Sequence, residues 1–183
     1  MKRIFVILSL TFGMTMSLWA QSSPMLVMTA LYKSAYLHQK DHRPDDAMLC
    51  LNALLSIDSN LVQAIALKGY VYEDSYANYD SALICYNRVA ELAPRYAQNY
   101  VNIGHIHYIQ GRYKEAVNSL EKAIEIDSNY ADAYFNLGLI ANEQHYLKDA
   151  ITYMRKGIEK GSAAARRWMD EYEEKLASGK ADE

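Results

Sequence analysis

Apolar residues recur at helical spacing along most of the chain. In Tyr113–Ile126, the positions Ala116, Leu120, Ala123 and Ile124 fall on one face of a helix, with polar residues between them. The segment before it, from about Arg95 to Ile109, reads as a second helix. Gln110-Gly111-Arg112 is the turn between them, with Gly111 in a C-cap place. This pair then recurs. Ala97–Tyr130 and Ala131–Ala164 align at a period of 34 residues. Tyr100 falls on Tyr134, Ile103 on Leu137, Gly104 on Gly138, Ala116 on Ala150 and Leu120 on Met154, while Tyr113 meets Tyr146 one residue out of step. A fixed period of this length predicts stacked helix pairs.

The same pattern appears twice more toward the N-terminus. Val62–Tyr96 carries Gly69 and Ala82 at its two small places and Pro94 near its end. Gly69 to Ala82 is one residue longer than Gly104 to Ala116, which predicts an extra residue in the turn near Ser75–Asp80. Met28–Leu61 is the most degenerate unit, with Ala35 in place of Gly, then Ala47, Leu51, Leu54 and Ile57. Four repeats are therefore expected, at 28–61, 62–96, 97–130 and 131–164. Small residues at Gly104 and Ala116 let two helices approach closely where they cross. Asp58, Pro94, Ser128 and Ser162 stand at unit boundaries, where a cap or breaker is wanted. In Ala163–Ala177, Trp168, Met169, Tyr172 and Leu176 form one apolar stripe, so residues 165–177 are expected to cap the last repeat, with a frayed tail at 178–183. The expected fold class is all-α, an α-solenoid of four helix-turn-helix repeats plus a C-terminal capping helix.

Ahead of the repeats, Met1–Ala20 has a basic start at Lys2 and Arg3, an uncharged apolar run from Ile4 to Trp19, and a plausible cleavage point at Ala20-Gln21. This is the pattern of a secretory signal peptide. The apolar run is short for a membrane helix, which wants roughly 20 residues. Residues 21–27 read as a short linker. The chain is thus expected to be exported, periplasmic or secreted, with no membrane span once the signal is removed; anchoring by an uncleaved N-terminal segment is the alternative.

Composition narrows the function. Half of the residues are apolar and the net charge is −3, which excludes a disordered chain and gives no basic footprint for nucleic acid. Without Lys2 and Arg3 the 19 basic residues fall to 17, against 22 acidic ones. Tyrosine is abundant, 16 copies against three Phe and two Trp, which suits half-buried helix seams and contact surfaces. No P-loop, dinucleotide fingerprint or supported Ser/His/Asp set is present, so no catalytic residues and no cofactor are expected. His38 and His42 are separated by the helix break before Pro44, and His105 and His107 point to different sides of a helix. No carboxylate joins either pair, so no metal site is expected. Asp45 and Asp46 sit at a helix start, where they complement its dipole. Cys50 and Cys85 hold equivalent places in stacked units, farther apart than a disulfide spans, and read as two semi-buried thiols.

These repeats resemble the tetratricopeptide repeat family over Met28–Ala164. The third unit carries the family pattern as Tyr100, Ile103-Gly104, His107, Ala116, Leu120, Ala123 and Ser128. The fourth carries it as Tyr134, Leu137-Gly138, Ala141, Ala150, Met154, Gly157 and Ser162. His107 and Ala141 replace the usual aromatic, and only Pro94 keeps the boundary proline. The resemblance implies a right-handed superhelix whose first helices line a concave, protein-binding face. On that face it places Tyr32, Lys33, Tyr36, Tyr70, Asn102, His105, Tyr108 and Asn136 as partner-binding residues, among neighbours such as Gln63, Asp74 and Gln98. Asn102 and Asn136, one period apart, would bond successive backbone groups of a peptide, and Tyr36, Tyr70 and Tyr108 would serve as flat anchors. Some relatives grip the C-terminal carboxylate of heat-shock chaperones with basic residues and Asn. Here those places hold Tyr32, Tyr36, Leu67, Gln98 and Asn102, so that reading fails.

The expected function is a non-enzymatic protein–protein interaction module of the bacterial envelope that binds a peptide or protein segment. The alternative is a structural subunit that self-associates or docks through its convex face or the Tyr-rich stretch Tyr70, Tyr72, Tyr76 and Tyr79. Its oligomeric state is left open by the sequence.

Overall fold

The computed structural model describes residues 24–177. The expected export segment Met1–Ala20 and the tail 178–183 lie outside the described residues, as does the side chain of Leu176. Among the described residues every regular element is a helix. In chain order these are α1 (Pro24–Lys40), α2 (Pro44–Ile57), α3 (Val62–Asp74), α4 (Tyr79–Leu92), α5 (Ala97–Ile109), α6 (Tyr113–Ile126), α7 (Ala131–Glu143), α8 (Leu147–Glu159) and α9 (Ala163–Ala177). The chain divides into two compact units, Met1–Val71 and Tyr72–Glu183.

In the first unit, α1 packs on α2 around Ala35, Ala47, Leu51, Leu54, Ala64 and Val71. Ile57, expected among the apolar repeat positions, is exposed at the last residue of α2. α1 begins at Pro24, within the stretch 21–27 read as a linker. Proline suits a first helical position, where its missing N–H has no intrahelical partner to lose. In the second unit, α5 packs on α6, α6 on α7, α7 on α8 and α8 on α9. Its main core joins Tyr86, Tyr100, Ile103, Ile106, Leu120 and Leu137, and a smaller one joins Met154, Ala165 and Met169. In the last cluster Ala165 and Met169 of α9 pack on Met154 of α8, and Ser162 starts α9 by accepting the Ala165 N–H at 3.1 Å.

The small positions work as the pattern implied. A Cβ on Gly104 would meet Leu120 Cγ at 2.8 Å and the Ala116 carbonyl oxygen at 3.2 Å. One on Gly138 would meet Met154 Cε at 2.8 Å. Each helix pair turns through one residue of positive φ, at His42 (55°), Ala77 (48°), Gly111 (71°) and His145 (63°). The N–H after it closes the turn on a carbonyl five residues back, as in Arg43 to His38, Arg112 to His107 and Tyr146 to Ala141, all at 2.8 Å. In the Ser75–Asp80 turn the same bond runs from Asn78 to Tyr72, six residues back. The extra residue expected there is thus absorbed in the loop, and both flanking helices keep their length.

Candidate partner-binding site

The second unit holds two sets of side-chain hydrogen bonds that reach the surface at α5. The first starts at α3, where the Glu73 carboxylate is mostly buried, with a side chain 12 % exposed. Its Oε1 lies 2.7 Å from His105 Nδ1 on α5. Its Oε2 accepts the Tyr86 hydroxyl of α4 at 2.8 Å. A second set of bonds lies on α5. Gln98 Nε2 donates to Asn102 Oδ1 at 2.8 Å, one turn further on. Gln98 Oε1 in turn accepts the Tyr130 hydroxyl at 2.6 Å, from the loop before α7.

Burial fixes the inner end of the first set, at Tyr86. Tyr86 is fully enclosed, and its backbone carbonyl accepts the amide of the buried Asn99 at 2.8 Å. Burial, then the neighbouring Glu73 charge and the hydrogen bond to it, push the Tyr86 hydroxyl far above the usual tyrosine range, while Asn102 pulls weakly the other way. The outer end is open. The His105 side chain is 42 % exposed, and Gln98 and Asn102 are half-buried. The residues Gln98, Asn102 and His105 stand at i, i+4 and i+7 on α5, so they form one stripe.

The structure treats the sequence-predicted residues differently. Asn102 and His105 stand on one stripe of α5 with Gln98. Asn136 is only 6 % exposed, so the expected amide ladder from Asn102 to Asn136 lacks a second open rung. The position equivalent to His105 is Leu139, which packs with the core under α9 and draws that face of α7 inward. Tyr108 packs partly against the main core and lies 6.2 Å, centroid to centroid, from Tyr113. Burial and then the Glu143 charge raise its hydroxyl pKa. It is therefore more a seam residue than the open anchor expected.

In the first unit, Lys33, Tyr36 and Tyr70 are exposed on α1 and α3. Tyr32 lines an apolar groove of about 500 Å³ with Met25, Met28, Thr29, Leu61 and Gln63. The Tyr-rich stretch divides: Tyr72 and Tyr79 pack against the second unit's core, while Tyr70 and Tyr76 stay exposed.

Glu73, Tyr86 and Tyr130 are not among the residues that the sequence marks for this site. Tyr86 stands at a core position of its helix, and Glu73 adjoins Asp74, which stands on the expected binding face. The available signal was spacing, since Glu73 stands one turn after Gly69, on the small-residue face that meets the next helices. Cys50 and Cys85 are not joined in a disulfide, and Cys50 Sγ lies 3.6 Å from Ser34 Oγ. Among the described residues no group of three or more His, Cys, Asp or Glu could hold a metal ion, and no helix is long and apolar enough to cross a membrane.

Residues 104–144 match the family model of the TPR repeat, and residues 131–159 that of the tetratricopeptide repeat. None of the curated proteins matches the sequence. The fold is similar to that of several solved structures. The crystal structure of MamA superposes with a TM-score of 0.65 at 23 % identity, covering 80 % of this chain and 83 % of that one. Pseudomonas aeruginosa pilF gives 0.68 at 23 % identity, covering 74 % of this chain and 61 % of that one. A Thermobaculum terrenum O-GlcNAc transferase mutant gives 0.64 at 21 % identity, with 74 % of this chain matching only 27 % of that one. Likeness at this identity shows the shared helix-pair fold and leaves activity to be argued from the site.

Proposed function

From a chain that carries tetratricopeptide repeats, we propose a non-enzymatic protein-interaction module that binds a peptide or protein segment on the Gln98–Asn102–His105 stripe of α5. One observation carries this reading. Three polar side chains of that stripe are held by hydrogen bonds before any partner arrives, His105 by Glu73, Gln98 by Tyr130 and Asn102 by Gln98. Groups already ordered lose little further freedom on binding, so more of the interaction energy is kept as affinity. The basic start and apolar run of Met1–Ala20 support a place in the bacterial envelope or outside the cell.

The test is capture from an envelope extract with the protein and with a Gln98→Ala, Asn102→Ala, His105→Ala variant of matched helical content. A partner retained by the protein and lost by the variant supports the stripe. Equal capture by both removes it. The exposed apolar residues of α1, Met25, Leu26, Tyr36 and Leu37, favour a second reading, self-association or permanent docking through the first unit. A stable dimer on a calibrated sizing column, broken by Leu26→Asp, would select that reading.

A further inference from the structure

The first turns of α7 hold a polar side chain without a partner. Asn136 is 6 % exposed, and its amide makes no hydrogen bond with any described residue. The equivalent residue one repeat earlier, Asn102, accepts from Gln98 Nε2 at 2.8 Å. In α7 the place of Gln98 is held by Asp132, and no such bond forms. Among the described residues, Asn99 Oδ1 and His107 Nδ1 are the polar side-chain atoms sealed from solvent with no partner. The Asn136 amide is not sealed in this way, so a polar edge of it still reaches the surface. Side chains buried to this degree are ordinarily hydrogen-bonded, and here the bond has to come from outside the chain.

The groups around that edge define what it can meet. Asp132, one turn before Asn136 on the same face, is exposed and forms no ion pair with a described residue. Tyr130, at the N-cap of α7, donates to Gln98 Oε1 at 2.6 Å and so joins this end of α7 to the α5 stripe. Burial, then the nearby Tyr96, Asp132 and Asp127, raise the Tyr130 hydroxyl pKa, which sets Tyr96 and Asp132 close beside it. Tyr96 is 42 % exposed. Neither α5 nor α7 contains a Lys or Arg. Lys160, which reaches the loop before α7, bonds Asn129 Oδ1 at 3.2 Å and lies 3.8 Å from Glu159. The face thus offers a carboxylate, an amide and two tyrosine rings, and no cation of its own helices meets them.

A guanidinium fits this set better than an ammonium. Its planar fork gives two parallel N–H bonds to a carboxylate and keeps further N–H groups for an amide oxygen. Its flat face also stacks on tyrosine. A phosphate or a carboxylate would be repelled by Asp132. An acid in the first turn of a helix suits the helix dipole as well, but that role leaves the unpaired Asn136 unexplained.

We propose that Asp132 and Asn136 form a subsite for an arginine side chain of the partner, with Asp132 taking the guanidinium fork and Asn136 Oδ1 a further N–H, beside Tyr96 and Tyr130. This rests on the protein-interaction reading given above and names one side chain of the segment that is bound.

The test uses peptides selected on the protein from a displayed library of random twelve-residue sequences. The binders should share an arginine, and its replacement by alanine should weaken binding about tenfold or more, the loss expected for a hydrogen bond between charged groups. Asp132→Asn, at matched helical content, should weaken the arginine peptides to a similar degree and leave their alanine versions unchanged. Asn136→Leu should also weaken binding without lowering the unfolding midpoint, since it removes a buried group that has no partner in the chain. Arginine peptides that bind Asp132→Asn as well as the protein would overturn the subsite. Binders that carry no arginine, yet are lost by the Gln98→Ala, Asn102→Ala, His105→Ala variant, would overturn the subsite and leave the proposed function standing. Equal binding of a lysine version would overturn the choice of a guanidinium. A library that yields no binder, or only binders indifferent to every variant, would overturn the proposed function and the subsite with it.

Discussion

The third and fourth repeats, residues 97–130 and 131–164, share a scaffold and differ in the face they build on it. Gly104 lies against Leu120 and Gly138 against Met154, at the same point of the helix crossing. Tyr100 and Tyr134 each donate a hydroxyl to the carbonyl six residues earlier, Pro94 at 3.1 Å and Ser128 at 3.3 Å. On the opposite side of the first helix the two repeats part. Gln98, Asn102 and His105 become Asp132, Asn136 and Leu139. Leu139 packs with Met154, Ala165 and Met169, and Asn136 is buried, whereas His105 stays open on Glu73. Within one backbone plan, a single apolar side chain draws the face into the capped core, and a polar one keeps it available. Repetition therefore builds the frame, and departures from repetition build the site.

The scaffold half of this comparison is best broken at the residues under the glycines. Leu120→Ala should cost about 2–5 kcal/mol, because Leu120 is fully buried and its neighbours can close the void only in part. Met154→Ala should fall at the low end of that range, since only the smaller cluster around α9 loses contacts. Urea unfolding followed by circular dichroism gives both values. A Met154 loss larger than the Leu120 loss would reverse the ranking of the two cores.

The site half is sharpened by Tyr86→Phe. It removes a hydrogen bond to a charged acceptor, for which about 1.5–3 kcal/mol is expected. The pH dependence should change with it. The folded protein holds the Tyr86 proton above the ordinary value of 10.0, while the unfolded chain releases it there. Stability is thus complete below that pH and falls as pH rises beyond it, by up to roughly 1.4 kcal/mol per pH unit for this group. Tyr108, Tyr130 and Tyr153 are also raised, first of all by burial, and act in the same sense. Tyr86→Phe should therefore flatten the alkaline loss without abolishing it. An identical alkaline slope in both proteins would show that Tyr86 does not carry it.

The close approach itself separates the repeats further. Gly104→Leu should overpack the crossing and cost on the order of 1–3 kcal/mol, as Leu120 Cγ and a backbone oxygen leave little room. Gly138→Ala should be nearly neutral. The flexible end of Met154 can move aside, and removing a mid-helix glycine returns roughly 0.5–1 kcal/mol. Comparable losses in the two would mean that Met154 is as fixed as Leu120.

The smallest effect is at the turns. Gly111 (φ 71°) has nothing within 4 Å of an added Cβ, so Gly111→Ala tests backbone strain alone and should cost about 1 kcal/mol. Ala77, in the matching turn at φ 48°, should respond in the opposite direction, with Ala77→Gly stabilising by about 0.5 kcal/mol. Differential scanning calorimetry on the two variants reads the signs directly.

The sequence by itself determined the helices, the turns and the tight crossings. The apolar period alone bounds Tyr113–Ile126, and one long interval marks the extra residue near Ser75–Asp80. Such features are local, or repeat at fixed distance, so the steric demand on a small residue or a turn shows wherever the pattern recurs. The start of α1 was less legible, because Pro24 serves as readily to open a helix as to end a linker. Half of the candidate site was visible as well, since Asn102 and His105 lie on one helix face. Tertiary structure alone decided the rest. Glu73, Tyr86, Gln98 with Asn102 and His105, and Tyr130 come from four separate segments, and no spacing rule joins them. Folding brings the Tyr86 hydroxyl and the His105 ring against one carboxylate, and Tyr130 against Gln98, meetings that no local pattern records.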